Sequence, residues 1–382
     1  MGNLKKGIKN LFGRKQRKAA RAQAQLDDQL QDPLAWQDNA AYADPLAAAR
    51  VNPLFDAGPR IIGDDDVASA ASVGGGSLNE VTRLQMRNPV GGSTTGFFKA
   101  DSEAAQTADV AGNYGIGHRD GDTHMSTRAV MSSRLGQALG TNVIAEEHYA
   151  RINGQEGSVS AGVSGIAASR NDYDKPAPDF VDDAWMEARP NLSWKYQKRD
   201  GAYFEMTSNS MADVDLRNAT TQREMAELQL MDSLTGQADR HEGNLFIDPE
   251  TGSVRGIDND LAFGEKQTGS GINAGFLPEL IDAGMGERIL SMSNDEFLEV
   301  LAARNGDFGE LGPVEKDQAL NRFKIIKAHI SALHAEDGLV SEWNDDTFDR
   351  AVGSEGDNYL KRHHEGLTEA RAGNNPSLKT YR

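Results

Sequence analysis

The stretch Met231–Gly264 reads M-D-S-L-T-G-Q-A-D-R-H-E-G-N-L-F-I-D-P-E-T-G-S-V-R-G-I-D-N-D-L-A-F-G, and its interpretation decides the fold. Leu245–Ile247 and Val254–Ile257 are two short apolar runs, and D-P-E-T-G-S between them carries the turn chemistry of Pro249 and Gly252. That pattern predicts a β-hairpin. Asn244 then stands at one foot of the hairpin and Asp258 at the other, with Asp239 five residues before the asparagine. An acid, an amide and a second acid converging in this way suit a hard cation such as Mg2+ and the orientation of a nucleophile. Asp248 and Glu250 lie in the turn and are expected to be solvated.

Phosphoryl transfer needs little more: positioned phosphates, metal ions to neutralise them and a carboxylate facing the attacking hydroxyl. Kinase catalytic loops place that aspartate and a metal-binding asparagine five residues apart, the spacing of Asp239 and Asn244. The order D-R-H, rather than H-R-D, resembles the phosphatidylinositol 3/4-kinase-like branch of the kinase fold, with its D-R-H-x-x-N loop. I-D-N-D-L-A-F at Ile257–Phe263 is similar to the I-D-N-G-L-A-F of type II phosphatidylinositol 4-kinases. The resemblance is concentrated in Met231–Gly264.

It implies an α+β, two-lobed kinase-like fold with a β-rich small lobe and a mainly helical large lobe. It also implies the use of ATP and Mg2+. In this frame Asp239 takes the proton of the acceptor hydroxyl, and His241 beside it either steadies charge on the phosphate or makes a structural hydrogen bond. Asn244 and Asp258 ligate the metal, and Asp260 serves a second one. Arg240 is expected to be structural, paired with a nearby carboxylate.

Upstream, N-P-V-G-G-S-T-T-G-F-F-K-A-D reads as strand, glycine turn and strand. Gly91, Gly92, Ser93 and Thr94 are candidates to offer backbone N–H groups to a phosphate. G-F-F-K-A-D is similar to the lysine strand of the same lipid-kinase family, which makes Lys99 the candidate phosphate-binding lysine. Thr127–Leu139 is predicted to be the helix that, in a kinase, supplies a glutamate to that lysine. No glutamate lies within it. Either Glu103 or the Glu146–Glu147 pair takes over, or Lys99 is held differently, or catalysis is weak.

The remaining elements follow from local signals. N-G-Q-E-G separates strand candidates Val143–Ala150 and Ser158–Val163 as a hairpin would. Ala202–Met206 reads as a strand. A helix over Asp215–Leu234 repeats Met225, Leu228, Met231 and Leu234 and stops at Gly236. Trp185, Trp194 and Tyr196 are candidate anchors in a polar stretch. Three further helices are expected: one in F-L-P-E-L-I-D-A-G, one capped by Ser293 with Glu296, and one opened by Pro313.

These readings divide the 382 residues into a basic, mostly disordered segment (1–75), a small lobe (76–165), a large lobe (166–364) and a flexible tail (365–382). No apolar run is long enough for a transmembrane helix, and the absence of cysteine excludes disulfides and cysteine-ligated zinc. Residues 1–21 carry eight Lys/Arg and no acid, so a formal charge of −18 overall leaves −26 on the remainder. So acidic a body disfavours nucleic acid. Leu4, Ile8, Leu11 and Phe12 form one apolar stripe among the lysines, suited to peripheral contact with an anionic membrane; a solvated tail or a secretion address fits as well. Residues 264–276 offer Lys266 against Glu265, little for an anionic headgroup. The acceptor is therefore expected to be a protein hydroxyl, as for a Ser/Thr kinase. A phosphoinositide, AMP transfer and a non-catalytic nucleotide-binding module are the alternatives. The basic leader and the kinase-like site together suggest a secreted bacterial effector acting on a host protein.

Overall fold

The computed structural model describes residues 61–75, 80–87, 93–101, 116, 123–168, 175–178, 180–189, 196–199, 201–205, 214–264, 277–302, 308–336, 338–356 and 358–371. They form an α+β molecule of two parts, as expected. The first contains strands β1 (Ile62–Gly63), β2 (Val67–Gly75), β3 (Glu80–Arg87) and β4 (Ser93–Ala100), helix α1 (Met125–Ala138), and strands β5 (Glu147–Ile152) and β6 (Gln155–Ala161). The six strands make one sheet in the order β1-β5-β6-β4-β3-β2, antiparallel except at β1–β5.

Alternation along the strands gives this sheet two different faces. Leu84, Met86, Phe98, Ala150, Ile152 and Val159 close one face into a small apolar core with Ile62. Lys99, Ser158 and Tyr149 align across β4, β6 and β5 on the other face, and Tyr149 belongs to the main core. The β5–β6 hairpin turns at Asn153 and Gly154, both with positive φ (51° and 76°), the pairing that a two-residue hairpin favours.

Two boundaries of this part differ from expectation. The sheet begins at Ile62 rather than after residue 75. β2 is V-A-S-A-A-S-V-G-G, an exposed edge strand with two register irregularities. Alanine, serine and glycine carry almost no strand signal of their own, and pairing with β3 supplies what propensity does not. Val143–Ala145 precede β5 rather than belonging to it: Gly256 donates its N–H to the Val143 carbonyl (2.6 Å) and accepts from Ala145 (2.9 Å). This segment joins the sheet to the hairpin below.

The second part follows with β7 (Ile166–Ala167), β8 (Lys175–Pro176), α2 (Asp183–Glu187), β9 (Tyr196–Arg199), β10 (Ala202–Glu205), α3 (Ala219–Thr235), β11 (Leu245–Ile247), β12 (Val254–Gly256), β13 (Ile281–Asp282), α4 (Ala283–Ser291), α5 (Asn294–Leu301), α6 (Pro313–Ala335), β14 (Leu339–Val340), α7 (Asp345–Gly353) and α8 (Tyr359–Arg371). Trp185 packs between Phe180 and Tyr196 as an anchor; Trp194 lies outside the described residues. Ser293 and Glu296 form the expected capping box on α5, and Pro313 opens α6.

Within F-L-P-E-L-I-D-A-G the described residues 277–282 are a loop and strand β13, not a helix; α4 starts only at Ala283, where Asp282 caps it through the Met285 N–H (3.0 Å). Pro278 disfavours helical backbone before it. At the C-terminal end α7 was not foreseen, and α8 continues past residue 364 to Arg371, because buried Tyr359 and Leu360 dock its first turn on the core. Residues 372–382 lie outside the description.

α3 is the axis of the second part. Asn218 caps it by accepting from the N–H groups of Thr220 (2.8 Å) and Thr221 (3.4 Å), and Gly236 ends it in the left-handed conformation (φ 63°). Nearly every residue between is buried, against α6, α8, β12 and β13. Its Glu227 is buried too, and accepts from the Thr141 hydroxyl at 2.6 Å. Burial pushes Glu227 up to about 7 from a usual 4.5. A carboxyl with a raised folded pKa favours folding while protonated, and that contribution is lost as pH rises through the folded value. Glu227→Gln should therefore gain stability over wild type as pH increases from about 4.5 to about 7, measured by urea denaturation across that range. A pH-independent offset would contradict this assignment.

Candidate active site

Directly after Gly236 the chain forms the loop that carries Asp239 and Asn244. Gln237 braces it: its Oε1 accepts the Asp239 N–H (3.0 Å), and its Nε2 donates to the Asp258 carbonyl (2.9 Å). The Asp239 side chain is 38% exposed, open enough to meet a substrate. His241 lies with Nε2 3.9 Å from an Asp239 carboxylate oxygen, while its Nδ1 accepts the Gly243 N–H at 3.0 Å and so caps the 3-10 turn Glu242–Asn244. The hydrogen bond to Gly243 is the structural role read for His241 from the sequence. Asn244 is buried, and its Nδ2 donates to the Asp239 carbonyl (3.0 Å), which leaves Oδ1 as the acceptor end of the amide.

The expected hairpin forms, with Leu245 opposite Gly256, Phe246 opposite Arg255 and Ile247 opposite Val254. Asp248 shapes the turn by accepting from the N–H groups of Glu250 (2.9 Å) and Thr251 (3.2 Å). At the foot, Ile257 donates its N–H to the Asn244 carbonyl (3.0 Å), so Asp258 starts beside Asn244. Asp258 and Phe263 both take positive φ (60°). Such backbone is uncommon for side chains other than Asn, Asp and Gly, and it folds the D-N-D-L-A-F segment tightly under the loop.

Arg240 holds these pieces together. It is buried and donates from Nε and Nη2 to both carboxylate oxygens of Asp232 (2.9 and 3.0 Å). Nη1 donates to the carbonyls of Asn244 (2.7 Å) and Ile257 (2.6 Å), and Nη2 also to Oδ1 of Asn259 (2.6 Å). Burial opposes its charge, but Asp232 more than offsets this and holds its pKa above the usual value. Asp232 in turn accepts from the Tyr359 hydroxyl of α8 (2.6 Å).

Lys99 arrives from the other part of the molecule. Its ammonium pairs with Asp258 and lies 3.4 Å from Asp260. Burial works against the lysine charge, yet Asp260 and Asp258 outweigh it and raise its pKa. Burial likewise opposes charge on Asp258, and Lys99 overcomes it and keeps Asp258 below the usual range. Asp260, more deeply set and facing Asp258, is pushed well up by burial and by that neighbouring charge. Ser93 and Thr94 open β4, opposite Arg87 and Met86 of β3. Gly91 and Gly92 lie outside the described residues, as do Glu103 and residues 265–276.

Among the described residues no three His, Cys, Asp or Glu side chains form a ligand cluster. Asp258 and Asp260 stand side by side, and their carboxylates, like the amide oxygen of Asn244, are donors of the oxygen type that hard cations prefer. The mutual crowding of Asp258 and Asp260 is relieved by positive charge, which Lys99 supplies here.

Several contributors were not read from the sequence. Arg128, in the first turn of α1, is fully buried; it pairs with Glu315 of α6 and donates to the carbonyls of Ala262 (2.7 Å) and Thr123 (2.7 Å). Arg322 of α6 donates to the carbonyls of Leu234 (3.1 Å), Thr235 (3.2 Å) and Gly264 (3.4 Å). Asp101 accepts from the Ser126 N–H (3.1 Å) and hydroxyl (2.5 Å), tying the lysine strand to α1. The pairings of Arg128 with Glu315 and Ala262, and of Arg322 with Leu234 and Thr235, each span more than eighty residues, and no local pattern announces them.

Residues 168–288 contain α3, the Asp239 loop, the hairpin and Asp258–Asp260, and they match the family described as phosphatidylinositol 3- and 4-kinase. No curated protein matches the chain. Among solved structures, the Helicobacter pylori proinflammatory kinase CtkA is similar at 9% identity over 73% of this chain and 98% of that one, with a TM-score of 0.38. The CtTel1 dimer is similar at 13% identity over 69% of this chain and 12% of that one (TM-score 0.34). For the FAT and kinase domain of CtTel1 the values are 14%, 69% and 22% (TM-score 0.32).

Removing one partner of a buried ion pair leaves the other charge uncompensated, at a cost of about 3–5 kcal/mol. Arg240→Met should lose stability on that scale in chemical denaturation, and Arg240→Lys, which keeps the charge but not the planar fork, should recover only part of it. A loss below about 1 kcal/mol, the range of exposed pairs, would contradict the role given to Arg240.

Proposed function

We propose that this chain, a kinase with the phosphatidylinositol 3/4-kinase-like fold, moves the γ-phosphoryl group of ATP to a protein hydroxyl. The convergence of Asp239, Asn244 and Asp258 around Arg240, with Asp260 beside Asp258, carries the reading. Asp239, partly exposed beside His241, orients the acceptor hydroxyl and takes its proton as the new P–O bond forms and ADP departs. His241 keeps a second polar group at that carboxylate. Lys99 contacts the nucleotide phosphates, and Gly92, Ser93 and Thr94, ahead of it in the chain, are the candidates to offer them backbone N–H groups. Asn244, Asp258 and Asp260 would hold Mg2+, which supplies charge neutralisation at the phosphate oxygens when bound.

Charge favours protein over lipid as the acceptor. Outside residues 1–21 the chain carries −26, and 264–276 add Lys266 against Glu265; both disfavour an anionic headgroup. The specific observation for a phosphoinositide is the match to a lipid-kinase family, together with the basic stripe of residues 1–21 as a membrane contact.

Label transfer from γ-32P-ATP and, in parallel, α-32P-ATP separates the readings, with cell lysate and a phosphoinositide panel as acceptors. The expected result is γ label in protein, reduced at least about 100-fold in Asp239→Ala and abolished in Asp258→Ala. Label in lipid would establish the second reading. Label from the α position would replace both with nucleotidyl transfer, and no transfer by a folded protein would overturn catalysis.

A further inference from the structure

We propose that Glu147, on strand β5, is the positioning residue that holds Lys99 for the nucleotide once Asp258 and Asp260 are committed to a cation. The proposal rests on the assignment of Lys99 to the phosphates. In the structure Lys99 is neutralised by the two carboxylates that a cation would need. If these carboxylates turn to the cation, the lysine, only a quarter exposed, loses both counter-charges at once. A partly buried ammonium requires a replacement.

Helix α1 cannot supply it. Its sequence M-S-T-R-A-V-M-S-S-R-L-G-Q-A contains no acid, and its Arg128 faces Glu315 and the Ala262 carbonyl instead. Glu146 is engaged elsewhere, with Oε1 3.2 Å from Nε2 of His148. Glu147 is available. It is 6% exposed, and its Oε2 has no hydrogen-bond partner, a rare state for a buried carboxylate oxygen.

Strand register aims it correctly. Lys99 lies opposite Ser158, and Ser158 opposite Tyr149; Glu147 lies two residues from Tyr149, hence on the same face as the lysine. One strand, β6, separates them and Glu147 is offset by two residues, opposite Ser160 rather than Ser158, which puts their backbones about 12 Å apart, a gap that a lysine and a glutamate side chain span together. The two groups already act on one another across it: burial pushes Glu147 up to about 7 and Lys99 draws it part of the way back, while Glu147 adds a small share to the raising of Lys99. Ser158 and Ser160, between them on β6, add hydroxyls on the glutamate's path.

A double-mutant cycle on nucleotide affinity tests this. Binding of a non-hydrolysable ATP analogue with Mg2+ is measured for wild type, Glu147→Gln, Lys99→Met and the double variant, with thermal unfolding of each as the control for folding. The expected result is a loss of about tenfold in affinity for Glu147→Gln in the wild-type background and none in the Lys99→Met background. Glu147→Asp should restore part of the loss. Equal losses in both backgrounds would reduce Glu147 to a structural role and overturn the proposal, as would wild-type affinity in a folded Glu147→Gln. If Lys99→Met itself binds like wild type, the assignment of Lys99 to the phosphates fails and the role of Glu147 fails with it. That result is distinguishable from failure of Glu147 alone.

Discussion

A buried guanidinium is the constraint on which this structure depends. Arg240 has five N–H donors, and the geometry gives it five acceptors: both oxygens of Asp232, the carbonyls of Asn244 and Ile257, and Oδ1 of Asn259. Desolvating such a charge is costly unless every donor is met. The arrangement that meets them fixes the end of α3, the loop, both feet of the hairpin and the D-N-D turn in one relation. Gly256 belongs to the same constraint, since a Cβ there would stand 2.7 Å from Arg240 Nη2. Asp239, Asn244 and Asp258 owe their proximity to an arginine adjacent to the loop's aspartate, which itself need touch no substrate.

From that centre the order spreads by the same device. Arg128 holds the Ala262 carbonyl and Arg322 the Gly264 carbonyl, so the segment leaving the D-N-D turn is gripped by two buried arginines on α1 and α6. Asp101 ties α1 to the strand of Lys99. The lysine that enters the site from the sheet and the carboxylates that enter it from the hairpin are thus connected through α1, with no helix glutamate. This helix, which contains no acid, still couples the two parts, through the carbonyl of Ala262 rather than through the lysine.

What could be read from the sequence was what local chemistry writes. The hairpin was legible because Asp248, Pro249 and Gly252 encode its turn, the β5–β6 turn because Asn153–Gly154 tolerate positive φ, and α5 and α6 because Ser293 and Pro313 mark their starts. The five-residue spacing of Asp239 and Asn244 and the following I-D-N-D made the site legible. β2 was missed because alanine, serine and glycine have no strand preference of their own and its neighbour β3 decides the matter. α8 was truncated because the burial of Tyr359 comes from α3, some 130 residues earlier. Glu147 stood in the sequence as one of several acids, and only strand register distinguishes it from Glu146.

The proposed mechanism requires Asn244, Asp258 and Asp260 to form one cation site beside a bound nucleotide. A crystal structure with ADP and Mn2+, phased for the anomalous signal of manganese, tests that most directly. The expected result is an anomalous peak coordinated by the Asn244 amide oxygen and the Asp258 carboxylate, with Lys99 displaced from Asp258 toward the phosphates. Nucleotide bound with the manganese elsewhere, or with Lys99 still paired to both carboxylates, would contradict it.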